Sequence, residues 1–197
     1  MASDPAAPPS AEIRLLRPAD WVAVRAARLT ALAQSPDAYA STLEREQAFD
    51  EQKWRERLAE TAYFGAWDAQ PEPRLVGLVA TFPEHPAGDD GLADGGPAGS
   101  GRAASGWHLV AMWVAPERRG RGIADQLVGA VCHLARQQGA AQVALWVADA
   151  NPRARAAYRR LGFRLTGDRG LLRPTGPGEP ELWEERMLMK LGAEPAS

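Results

Sequence analysis

Arg119-Gly120-Arg121-Gly122 runs directly into Ile123-Ala124, and this stretch offers the first recognisable chemistry in the chain. Glycines in such a turn let backbone N–H groups approach a ligand without a side chain in the way. A helix that starts straight after the turn adds its free N–H groups and the positive end of its dipole. The combination makes an anion site, with phosphate the obvious occupant. The Gly-Lys-Ser/Thr sequence of a P-loop is absent, which argues against a nucleotide site of that kind. Further along, Asn151-Pro152 is a good helix start, since Asn caps and Pro is tolerated at the first helical position. Tyr158 follows on that helix, just before Leu161-Gly162-Phe163. A phenol titrates near 10 and a thiol at about 8.5; near neutrality the phenol keeps a proton, which it can offer to a departing thiolate as an acid or as a hydrogen-bond donor. The single cysteine, Cys132, and the serines stand in no nucleophile motif, which favours direct group transfer over a covalent enzyme intermediate.

Several elements must position these residues. A strand is expected over 13–17, then a helix capped by Asp20 with Val22, Ala26, Leu29 and Ala33 on one face. Ser35-Pro36-Asp37 ends it. Ser41 and Glu44 have capping-box spacing, so a second helix should start at Ser41, with a break near Asp50 and further turns carrying Trp54 and Leu58. Strands over 63–67 and 75–82 form a hairpin. Residues 83–106 are rich in Gly, Ala, Asp and Pro and read as a flexible insertion. A strand over 107–115 leads into the glycine turn. The helix after it places Ile123, Leu127, Val131 and Leu134 on one stripe and stops at Gly139. A strand over 141–147, the short helix with Tyr158, a strand over 163–166, a Gly/Pro-rich loop and a last strand over 184–191 complete the order. The succession β-α-α-β-β-insertion-β-α-β-α-β-β predicts a mixed sheet, antiparallel in its first half with a β-α-β unit in its second.

Composition sets the outer bounds. The 197 residues suit one domain, expected over 11–192, with residues 1–10 a disordered Ala/Pro lead-in and 193–197 a tail. A formal net charge of -2 gives no general pull toward nucleic acid or membrane. No apolar run approaches the ~20 residues of a spanning helix, and residues 1–10 do not read as a signal peptide. One cysteine excludes an internal disulfide and fits a reducing, cytoplasmic setting. No metal ligand set is evident.

Met112-Trp113-Val114-Ala115-Pro116, then Arg119 to Ala124, then Asn151, Tyr158 and Gly162-Phe163 stand in the order and spacing of the GCN5-related N-acetyltransferase superfamily, which the chain resembles. The resemblance implies an α/β (α+β) fold: a single domain with a mixed, mostly antiparallel sheet of about seven strands flanked by about four helices. It implies acetyl-CoA as acetyl donor. Arg119, Gly120, Arg121, Gly122, Ile123 and Ala124 would hold the pyrophosphate. Met112, Trp113 and Val114 would offer backbone partners to the pantetheine arm, as to an added strand. Asn151 would hold the arm's far side, and Tyr158 would be the general acid. The backbone N–H of Val114 would face the developing oxyanion.

The acceptor side follows the family less closely. An alkyl ammonium near pKa ~10 needs a base before it can attack. One branch of the family carries a glutamate on the strand before the asparagine; here that position is Trp146. Another carries one on the strand before the glycine turn; here that strand has no acid. Glu44, Glu46, His108 or a water chain are the candidates, with Glu44 taken first. The loop 35–42 walls the acceptor site in the superfamily, so Tyr39, Thr42, Glu44 and His108 are the expected acceptor residues. Trp107, Trp146 and Trp183 are candidates to shape the pocket. The expected reaction is acetyl transfer to the primary amine of a small molecule in a ternary complex. Acetylation of a protein lysine or N-terminus, and a non-catalytic acyl-CoA-binding regulatory module, are the alternatives. A monomer or a homodimer is expected.

Overall fold

The computed structural model describes residues 11–68, 72–84, 106–176, 178 and 180–192. The lead-in 1–10, most of the 83–106 insertion and the tail 193–197 lie outside the described residues. The strands are β1 (Glu12–Leu15), β2 (Ala62–Asp68), β3 (Arg74–Glu84), β4 (Gly106–Val114), β5 (Gln142–Ala148), β6 (Arg164–Arg173) and β7 (Leu182–Lys190). The helices are α1 (Trp21–Gln34), α2 (Leu43–Gln47), α3 (Glu51–Glu60), α4 (Ile123–Gln137) and α5 (Pro152–Arg160). The strands form one seven-stranded sheet in the order β1-β2-β3-β4-β5-β7-β6. Every pairing is antiparallel except β4 with β5, the two strands that α4 connects. This is the α/β mixed sheet that the element order implies.

Strand β3 is the centre of the core. Residues Val76, Leu78, Val79 and Ala80 are all buried, a continuous run and not an alternation, because helices cover both faces. Trp113 pairs with Leu78 and sends its indole N–H to Gln34 of α1, so that face packs on α1. The opposite face receives α4. A Cβ on Gly77 would stand 3.0 Å from both Ile123 and Leu127, so glycine here lets α4 settle close onto the sheet. The α4 stripe Ile123, Leu127, Val128, Val131 and Ala135 is buried there.

Three local expectations change. Asp20 does not cap α1 with its side chain; its carboxylate accepts the Arg17 N–H at 2.8 Å and closes a 3-10 turn, Pro18–Asp20. Thr42, not Ser41, caps α2: its hydroxyl accepts the Arg45 N–H at 3.3 Å. Glu44 is then one residue too early to close a capping box. Strand β6 runs on to Arg173, far beyond 166, as the edge partner of β7. Its mostly exposed, Gly- and Arg-rich stretch gives no apolar alternation, so it reads as loop in sequence.

Candidate active site

Strands β4 and β5 pair only where Gly106, Trp107 and His108 meet Gln142, Val143 and Ala144. Beyond that they part. The local cause is in β4: Leu78 pairs with Trp113 and Ala80 with Val110, so β4 carries one extra residue, and Ala111 has φ 55. Such a bulge bends the strand and interrupts its ladder. The result is a wedge between two parallel strands, with β4 backbone from 109 to 114 free of a strand partner on the β5 side. Two of its carbonyls are met by side chains: Met112 O accepts the Tyr39 hydroxyl at 3.0 Å, and Val114 O accepts Arg119 Nε at 2.9 Å.

The turn below the wedge is open. Gly120 and Gly122 have φ 77 and 76, and nothing lies within 4 Å of where their Cβ atoms would stand. Only glycine adopts that backbone without cost. Gly122 is the N-cap of α4 and brings no side chain to the helix's first N–H groups. The three arginines of the turn are divided. Arg118 is ion-paired with Asp68, Arg119 folds onto Val114, and Arg121 is exposed. On the far side of the wedge, Asn151 Oδ1 accepts the Ala154 N–H at 3.0 Å and caps α5, which leaves its amide N–H groups for a ligand. Tyr158 is buried against Phe163, with ring centroids 5.7 Å apart. Burial, and secondarily the neighbouring Tyr39, push its phenol well above 10. The open Gly120–Gly122 turn follows the free β4 backbone, and Asn151 and Tyr158 follow the end of β5 on the other side of the gap.

A cavity of about 300 Å³ meets the wedge at Leu109, Val110 and Ala111. Arg28, Tyr39, Ser41, Glu46, Lys53 and Arg57 line it from the helical side; His108, Phe82, Trp146, Leu172 and Glu184 line it from the sheet. Two expected acceptor residues are here, Tyr39 and His108. Arg173 at the end of β6 secures the Tyr39 loop, donating to Pro36 O and Tyr39 O at 2.7 Å each. Thr42 and Glu44 are not among the lining residues; Thr42 is spent on the α2 cap and Glu44 is exposed. One turn-face away, Glu46 is 0% exposed and receives Arg28 through Nε at 3.1 Å and Nη2 at 2.9 Å, and Arg57 at 3.2 Å. Burial pushes the Glu46 carboxyl up, but the two guanidiniums outweigh it and hold the group below its usual range. An acid so paired is a structural tie and a poor proton acceptor. His108 is stacked on Phe82 at 5.5 Å, and burial lowers its pKa to about 4, so it is neutral near pH 7.

Glu184 carries no local sequence signal of a place in the site. In Glu184-Glu185-Arg186 the charges look like a solvated strand, and only the register places Glu184 on the cavity. Trp146 lines the cavity as expected; Trp107 is buried, and Trp183 is exposed with its N–H on Glu181.

The description Acetyltransferase (GNAT) family matches residues 29–163 of the chain. The chain belongs to the GNAT acetyltransferase family. Among curated relatives, N-acetyltransferase 8F1 of Rattus norvegicus is 31% identical over 112 residues, covering 56% of this chain and 44% of that protein. The match thus spans less than half of that relative's length. Among solved structures, smu.2055 from Streptococcus mutans superposes with TM-score 0.68 at 16% identity, covering 92% of this chain and 99% of that one. YncA of Salmonella typhimurium, solved with its cofactor acetyl-CoA, superposes with TM-score 0.66 at 16% identity, covering 95% and 97%. These likenesses are to the GNAT fold over nearly the whole described chain. No helix among the described residues is long and apolar enough to cross a membrane.

Proposed function

We propose that this GNAT protein is an acetyl-CoA-dependent N-acetyltransferase that acetylates the primary amine of a small molecule by direct transfer. The observation that carries the reading is the meeting of cavity and wedge at Leu109, Val110 and Ala111. A thioester held along β4 would present its carbonyl at that junction. The turn Arg119 to Ala124 would take the pyrophosphate, Met112 and Val114 the amides of the arm, and Asn151 its other side. Acetyl-CoA supplies an activated acetyl group. The protein's part is to align the amine with it, exclude water and manage two protons. Tyr158, with its pKa pushed up, keeps its proton near neutrality and supports a hydrogen bond to the leaving sulfur. The Val114 N–H is the proposed donor to the carbonyl oxygen.

Cavity shape and charge support a small acceptor. A pocket of about 300 Å³ suits a small molecule. Arg28 and Arg57 are paired with Glu46, which leaves Glu184 and Lys53 as the lining charges that a small acceptor would meet. The donor assignment is tested by thermal unfolding with acetyl-CoA. At ~100 times its dissociation constant it should stabilise the fold by about 2.7 kcal/mol, and no shift would sink the assignment.

A further inference from the structure

The reaction needs a base, and Glu46, tied by two guanidiniums, and His108, its pKa lowered to about 4 by burial, are poor ones. Trp146 stands where part of the family carries a glutamate. In the sheet, Trp146 pairs with Arg186, and Ala148 pairs with Glu184. Residues two apart on a strand share a face, so Glu184 is the diagonal cross-strand neighbour of Trp146 on the same face. Gly170 of β6 leaves the room that both use: a Cβ there would stand 3.5 Å from the Trp146 ring and 4.0 Å from Glu184 Oε1. Both side chains line the acceptor cavity. The neighbouring charges are occupied elsewhere. Arg186 pairs with Glu84 and Asp168, Arg169 with Asp149, and Arg155 with Asp149 and Glu185. Across the cavity, Arg28 and Arg57 are tied to Glu46, His108 is neutral near pH 7, and Lys53 is the remaining lining cation. Among the described residues no side chain donates a hydrogen bond or ion pair to Glu184. We propose that Glu184 is the general base of this enzyme, taking the proton from the acceptor ammonium one strand over from the position that Trp146 fills.

The inference rests on the acetyltransferase reading. Burial without a compensating charge raises the Glu184 carboxyl to about 7, close to the value a base working near neutrality needs. Glu184 accepts one proton from the ammonium. The freed lone pair forms the C–N bond, the C–S bond breaks, and the second proton leaving nitrogen ends on the CoA sulfur, with Tyr158 as donor or relay. Glu184 then returns its proton to solvent, so the products are the N-acetylated amine, CoA thiol and one proton.

The test is the pH dependence of kcat for wild type, Glu184→Gln and Glu184→Asp on an amine that the wild type acetylates. Wild type should show a rising limb near pH 7. Glu184→Gln should lose that limb and 10²–10⁴-fold in kcat at pH 7, recovering as the pH approaches the pKa of the amine, with the KM for acetyl-CoA unchanged. Glu184→Asp should keep a limb at reduced rate. A Glu184→Gln enzyme that retains the limb and the rate overturns the proposal. If no amine is acetylated by wild type, it is the acetyltransferase reading that has failed. Independently of any acceptor, carboxyl titration by infrared difference between wild type and Glu184→Gln should give a value near 7, and a value near 4.5 overturns the base assignment.

Discussion

Tyr158 is a buried phenol on α5, proposed to meet the leaving sulfur. With its pKa pushed well above 10, it keeps its proton throughout the working range, and its proposed part is a hydrogen bond to the sulfur as it leaves. Tyr158→Phe should therefore lower kcat by about 10²–10⁴-fold while leaving acetyl-CoA affinity nearly unchanged, as steady-state kinetics and a thermal shift would show. His108 affords a stability test. Its folded-state pKa of about 4 lies below the ordinary 6.5, so the folded protein binds this proton less readily than the unfolded chain. The corresponding stabilisation is complete above pH 6.5 and is lost as the pH falls through 4, up to about 3 kcal/mol. Denaturant unfolding from pH 8 to pH 4 should show this loss, and His108→Gln should flatten it. Tyr158, Asn151 and the glycine turn were legible in sequence because their motifs are local. Glu184 was not, because its place depends on the pairing of β5 with β7.

At the scale of elements, two devices shape the site. The bulge at Ala111 separates β4 from β5 and makes the wedge. The Arg28–Glu46–Arg57 cluster ties α2 to α1 and α3 and so fixes the helical wall of the cavity. Removing one member of a buried ion cluster leaves the others uncompensated. Glu46→Ala should cost about 3–5 kcal/mol in urea unfolding, far more than Glu44→Ala on the exposed side of α2. The strands and helices were largely readable from periodicity and caps. The bulge was not, since Ala111 carries no sequence mark of a positive φ, a conformation usually left to Gly or Asn. The choice between Glu44 and Glu46 also depended on where α2 begins. A cap at Thr42 instead of Ser41 turns Glu44 outward and Glu46 into the core.

Across the whole molecule, the seven-stranded sheet presents two sites that meet. One is the wedge with its glycine turn; the other is the cavity roofed by the Tyr39 loop. The family and the mixed sheet followed from a few motifs and from element order. The acceptor side did not, because it is assembled from α1, α2, α3 and strands β2 to β7, and no short stretch of sequence contains it. In the proposed reaction these two sites pass an acetyl group between two bound substrates. Its most direct measurement is CoA thiol release from acetyl-CoA, followed together with the N-acetylated product over a panel of small primary amines. Release should depend on the amine, with one CoA per acetylated amine and the intersecting kinetics of a ternary complex. Binding of acetyl-CoA with no amine-dependent release across the panel would contradict it.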